Sequence, residues 1–170
     1  MAKQEGVCEE AVYRRTYQEQ VDRLRNFLFY KFGQVDQLED LVQEAFVRLW
    51  ENCAKVRPQK ARSYLFTVAS NLNINRAKHQ QVVMAFRRKT KAVSIELEDP
   101  HFQLEQKEFS ERLQASINQL PENQRVVFLM NRIDKISYRE IAELLGISQK
   151  AVEKRMHKAL ISLRQLSKKI

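Results

Sequence analysis

The chain has 170 residues, 44% of them apolar and 30% charged, which fits one ordinary domain or two small helical ones. Three glycines and three prolines are too few for a β-rich fold full of tight turns. The net charge of +9 favours a polyanionic partner without choosing among DNA, RNA, ribosome and membrane surface. The N-terminal stretch lacks the apolar core of a signal peptide, and no segment is apolar enough to span a bilayer. A cytoplasmic protein with no direct membrane insertion is expected. Cys8 and Cys53 stand far apart with no metal-binding spacing, and are expected as free thiols in a reducing compartment.

In chain order, Tyr17, Val21, Leu24, Leu28 and Phe32 recur at steps of three and four and predict a helix over about 9–32. Gly33 ends it, and Asp36 is placed to cap the next. Val35, Leu38, Leu41, Val42, Ala45, Phe46, Leu49 and Trp50 predict a second helix with a continuous apolar stripe. Its other face carries Asp36, Glu39, Asp40, Gln43 and Glu44, which is acidic in a basic protein. Pro58 precedes a third helix, with Ala61, Tyr64, Leu65, Val68 and Ala69 on one face. Ser70-Asn-Leu-Asn73 is expected to interrupt it, because such side chains bond their own backbone. A fourth helix, about 72–86, turns basic with Arg76, Lys78 and His79.

The periodicity weakens over 91–107 and Pro100 bars a helix there, so a protease-sensitive linker is expected. Beyond it, Phe109, Leu113, Ile117 and Leu120 share a face, and Pro121 opens a helix from Glu122 to about Ile133. Ser137 and Glu140 form a capping box. The short helix that follows, the turn at Gly146-Ile147-Ser148, and a last helix from Gln149 to about Leu166 have the parts of a helix-turn-helix. Ala142 lets the two helices cross closely, and Ile147 and Val152 seal the corner. Ser148 caps the last helix, which offers Gln149, Lys150, Glu153, Lys154, Arg155, His157 and Lys158 to base edges and phosphates. His79, His101 and His157 lie in separate segments, and no phosphate loop or metal motif occurs. No catalytic residue, metal, cofactor or small-molecule substrate is expected.

These residues resemble the extracytoplasmic-function (group 4) sigma factors, the smallest members of the sigma-70 family. Asp36–Phe46 resembles region 2.2 of that family, and ARSYLFTVASNLNINR (61–76) resembles regions 2.3 and 2.4. Leu120–Arg125, Val126–Phe128 and Ser137–Ala142 resemble region 4. The wording MNRIDKISYREIA and EKRMHKAL most resembles members from Bacteroidetes. Tyr64 stands where the family usually has tryptophan, Asn75 where aspartate is common, and Ala151 where threonine is usual.

The resemblance implies an all-α fold of two small domains: region 2 over 1–91, a linker over 92–107, and region 4 over 108–170. It implies core RNA polymerase and promoter DNA as partners, with a membrane-bound anti-sigma factor as a further one. Asp36, Glu39, Asp40, Gln43, Glu44 and Val47 would dock on the polymerase. Tyr64, Asn71, Asn75, Arg76, Lys78 and His79 would meet the −10 element, with Asn71 beside a flipped base. Ser148, Gln149, Lys150, Glu153, Lys154, Arg155, His157 and Lys158 would meet the −35 element. A plain helix-turn-helix regulator explains 137–166 but leaves the acidic helix without a role. An RNA-binding protein explains the charge but not the turn-centred helix pair, and an enzyme explains neither.

Overall fold

The structure is a computed structural model that describes residues 6–33, 38–84 and 113–167, with backbone alone for 74–84 and 166–167. All described elements are helical. They are α1 (Glu10–Phe32), α2 (Leu38–Glu51), a 3-10 turn (Pro58–Lys60), α3 (Ala61–Met84), α4 (Glu122–Arg132), α5 (Tyr138–Leu145) and α6 (Gln149–Ser167). Residues 113–118 form a further short helical stretch. Val35, Asp36 and the expected linker over 92–107 lie outside the described residues.

The first half packs α1, α2 and α3 together; the second packs α4, α5 and α6. Leu24, Leu28, Leu41, Leu49 and Leu65 are fully shielded at the centre of the first half. Val127, Ile141, Val152 and Ala159 hold the same place in the second. The two halves touch: α1 lies against α4, and α3 against α5, so one apolar cluster runs through both.

Helix ends follow the local chemistry expected of them. Gly33 sits at φ 75° and donates its N–H to Phe29 O at 2.8 Å, closing α1. Ser137 Oγ accepts from Glu140 N at 3.2 Å, opening α5. Gly146 takes the left-handed conformation at φ 65°, which a side chain would strain. Ser148 Oγ accepts from Ala151 N at 3.2 Å and caps α6.

Three expectations are overturned. The interruption at Ser70–Asn73 is absent, and α3 runs unbroken from Ala61 to Met84. Ser70 and Asn73 are buried, and the Ser70 hydroxyl accepts from Lys31 Nζ. That tertiary partner on α1 removes its incentive to break the helix. Cys8 and Cys53 are not free thiols but a disulfide, because the start of α1 lies beside the end of α2. Tyr17 and Trp50, expected inside, are 43% and 48% exposed at the rim of that helix pair.

Candidate polymerase and promoter surfaces

Helix α2 buries Leu41, Val42, Ala45, Phe46 and Leu49. Glu39, Asp40, Gln43 and Val47 therefore face outward, with Val47 53% exposed. Asp40, Gln43 and Val47 share one stripe. Glu39 is turned aside: the Arg25 guanidinium of α1 forks onto its two oxygens, one of them at 3.1 Å. That bond holds the Glu39 carboxyl below its usual range. Glu44 is half-buried and 3.6 Å from Arg48. Trp50 continues the stripe toward the helix end. Its ring packs edge-on against Tyr13 at 5.1 Å, and Tyr13 donates its hydroxyl to Phe46 O at 2.9 Å.

On α3, Tyr64 is half-buried and its hydroxyl lies 3.4 Å from Arg48 O. Asn71 is exposed in mid-helix, so it caps nothing. Asn75, Arg76, Lys78 and His79 follow on the same helix, with side chains outside the described residues.

Helix α6 buries Val152, Met156 and Ala159. Lys150, Glu153, Lys154, His157 and Lys158 are exposed, and Gln149 donates to Glu153 at 3.1 Å. Arg155 departs from the expectation of a fully exposed face. It is half-buried and lines a cavity of about 270 Å³ between the halves, together with Phe27, Phe66, Asn71, Leu144 and Ile147. Arg155 and Asn71 thus line one cavity, while Lys154 and Lys158 face outward.

A set of polar residues across the two halves escaped the sequence reading. Glu140 meets Arg23 at 2.6 Å and Arg62 at 3.3 Å. Asp134 Oδ1 accepts from Asn26 and from the Tyr30 hydroxyl, both at 2.9 Å. Burial and the Asp134 carboxylate push the Tyr30 phenol above its usual range. Arg125 donates to Tyr30 O at 2.9 Å and Lys31 O at 3.2 Å, carbonyls that the last turn of α1 leaves without helical partners. The signal present was Glu140 as half of a capping box. The structure keeps the Ser137 half and turns the glutamate to the arginines.

The description "Sigma-70 region 2" matches residues 16–83, and "Sigma-70, region 4" matches residues 110–163. The two matches meet the two halves of the fold in order, and together they span most of the chain. The chain belongs to the sigma-70 family, as an extracytoplasmic-function sigma factor. It is 28% identical over 160 residues to the RNA polymerase sigma factor YlaC of Bacillus subtilis, covering 92% of this chain and 90% of that one. It is 28% identical over 157 residues to the ECF RNA polymerase sigma factor SigW of the same organism, covering 85% and 82%. Among solved structures, the sigma factor RpoE of Bartonella quintana, bound to the anti-sigma factor NepR, has the same fold. Its TM-score is 0.64 at 19% identity, covering 92% of this chain and 96% of that one. CnrH, in complex with the cytosolic domain of CnrY, gives 0.59 at 22%, covering 94% and 90%. Sigma factors are transcription initiation factors that direct RNA polymerase to promoters; they are not catalysts. No helix among the described residues is long and apolar enough to cross a membrane.

Proposed function

We propose that this chain divides promoter-specific initiation among three of its surfaces. Asp36, Glu39, Asp40, Gln43, Glu44 and Val47 bind core polymerase. Tyr64, Asn71, Asn75, Arg76, Lys78 and His79 meet the −10 element, and Ser148, Gln149, Lys150, Glu153, Lys154, Arg155, His157 and Lys158, at the start of α6, meet the −35 element. The observation that carries this reading is the pairing, in one chain, of an exposed acidic face on α2 with an exposed basic face on α6. A DNA-binding regulator needs only the second. The domains run over 1–91 and 108–170, with 92–107 between them. The work is done in the cytoplasm, beside the polymerase, and the wording of 130–142 and 153–160 supports a Bacteroidetes-like origin.

Asn71 captures an unpaired base of the −10 element. Its amide both donates and accepts, which suits a base edge. Its exposure within an unbroken helix leaves it no capping duty. In the structure Asn71 and Arg155 line the same cavity, so reading both elements requires the halves to part. An anti-sigma factor, the kind of partner bound to the neighbour RpoE, is a natural device for keeping them together.

The test adds the purified chain to core polymerase and measures initiation on promoters varied at each −10 and −35 position. Promoter-specific initiation that depends on the chain is expected. Tight binding to promoter DNA without polymerase, and no gain in initiation, would establish a plain regulator instead. Asn71→Ala is expected to keep its melting temperature and lose discrimination at one −10 base. A mutant with unchanged preference at every position removes Asn71 from the capture role.

A further inference from the structure

Cys8 and Cys53 close a covalent bond between the segment that opens α1 and the turn that closes α2, with 5.0 Å between their Cα atoms. Packing brings the two ends together on its own account. Val7 is fully buried in the core beside Cys8, and Tyr13 holds both Phe46 and Trp50 of α2. Cys8 is exposed and Cys53 half-buried, so the bond is open to solution on one side. A disulfide is attacked by a thiolate that can reach one of its sulfurs. In compartments rich in small thiols, disulfides that form are mostly transient and redox-sensing.

We propose that Cys8–Cys53 is a reversible thiol–disulfide exchange site whose reaction partner is a low-molecular-weight thiol and its disulfide, and that its state sets how firmly the end of α2 is held. In the reducing direction, a small thiolate attacks Sγ of Cys8. The sulfur–sulfur bond breaks, and its electron pair leaves on Sγ of Cys53, which takes a proton. A second small thiolate attacks the small molecule's sulfur in the mixed disulfide and releases Cys8 as a thiol after protonation. Two small thiols become one disulfide, and the protein gains two electrons and two protons. The reverse sequence oxidises it.

The bond spans a sequence separation of 45 and encloses the whole of α1 and α2, so it constrains the unfolded chain and the helix pair together. Its second anchor lies three residues beyond Trp50, at the end of the exposed stripe. The effect on polymerase rests on the reading of that stripe as the docking face; the exchange chemistry does not.

The full chain is equilibrated in reduced and oxidised glutathione at a series of ratios, then alkylated and weighed. Two alkylated cysteines at the reducing end and none at the oxidising end are expected, with a single transition between. The melting temperature is expected to be roughly 10 °C higher in the oxidised form. Emission of Trp50, the single tryptophan, should follow the same transition. Affinity for core polymerase should be several-fold higher when oxidised, and Cys8→Ser should stay at the reduced values in both buffers. A bond that never forms or never opens over the series overturns the exchange site, as does an unchanged melting temperature. A shift in melting temperature with unchanged core affinity overturns the control of α2. If neither form binds core, the docking reading fails, while the thiol count and melting temperature still decide the exchange site.

Discussion

Helices α2 and α6 are built alike and finished oppositely. Each buries a narrow stripe, Leu41, Val42, Ala45, Phe46 and Leu49 in one, Val152, Met156 and Ala159 in the other. The buried stripes would serve in any helical bundle. The outward faces differ in kind. That of α2 mixes carboxylates with exposed Val47 and Trp50, a composition suited to a protein partner that covers apolar surface. That of α6 over residues 149–158 offers three lysines, a histidine, Gln149 and a single carboxylate, Glu153, without a large apolar side chain. Such a face suits a phosphate backbone, whose attraction fades with salt. Packing therefore specifies where each helix sits, and leaves the composition of the outward face free to differ.

The comparison is broken most directly by reversing charge on α2. Asp40→Lys with Gln43→Ala is expected to weaken core binding by about 3 kcal/mol, a loss of more than a hundredfold, while helicity stays normal. Binding measured by competition for core checks it, and unchanged affinity removes α2 from the interface. On α6 the division is finer. Arg155→Ala should cost roughly 1–3 kcal/mol and relax preference at one or two −35 positions. Lys158→Ala should weaken all promoters evenly and lower the slope of affinity against salt. If both mutants behave alike on every promoter variant, the face of α6 does not divide between base and phosphate.

The seam between the halves sharpens the comparison further, since Arg155 faces it and Lys158 does not. Among the described residues, Tyr30→Phe leaves the Asp134 carboxylate a single donor, Asn26, and should cost about 1 kcal/mol of stability. The Tyr30 phenol is raised in the folded state, so its contribution is fully present below the unfolded phenol's pKa near 10 and is lost as pH rises through the folded value. Tyr30 should thus titrate above an ordinary phenol by ultraviolet absorbance; titration at the ordinary phenol value in the native protein would contradict its burial beside Asp134. Glu140→Gln should have the smallest effect, on the order of 0.5 kcal/mol, because both arginine partners are 39% exposed. Faster proteolytic separation of the halves, with little change in melting temperature, is the expected readout.

The two halves were unequally legible. Helix-turn-helix features such as Ser137, Gly146 and Ser148 could be placed from the sequence because each acts within four residues of itself. The acidic face of α2 was equally plain, since its stripe repeats at the helical period. Within that face, the capture of Glu39 by Arg25 was not, because it depends on where α1 lies.

Local sequence was enough to place most of the helices, most of their caps, and the contrast in charge between the two exposed faces. These follow from periodicity and from side chains bonding nearby backbone. What only the tertiary structure decided spans long separations. Ser70 and Asn73 read as breakers, yet burial in α3 and the bond from Lys31 keep the helix whole. Cys8 and Cys53 are 45 residues apart in the chain and joined in the fold. Arg23 and Glu140 are 117 apart and in contact. No local rule reports such pairs, because their distance is set by how finished helices dock, and docking answers to the summed shape of both surfaces.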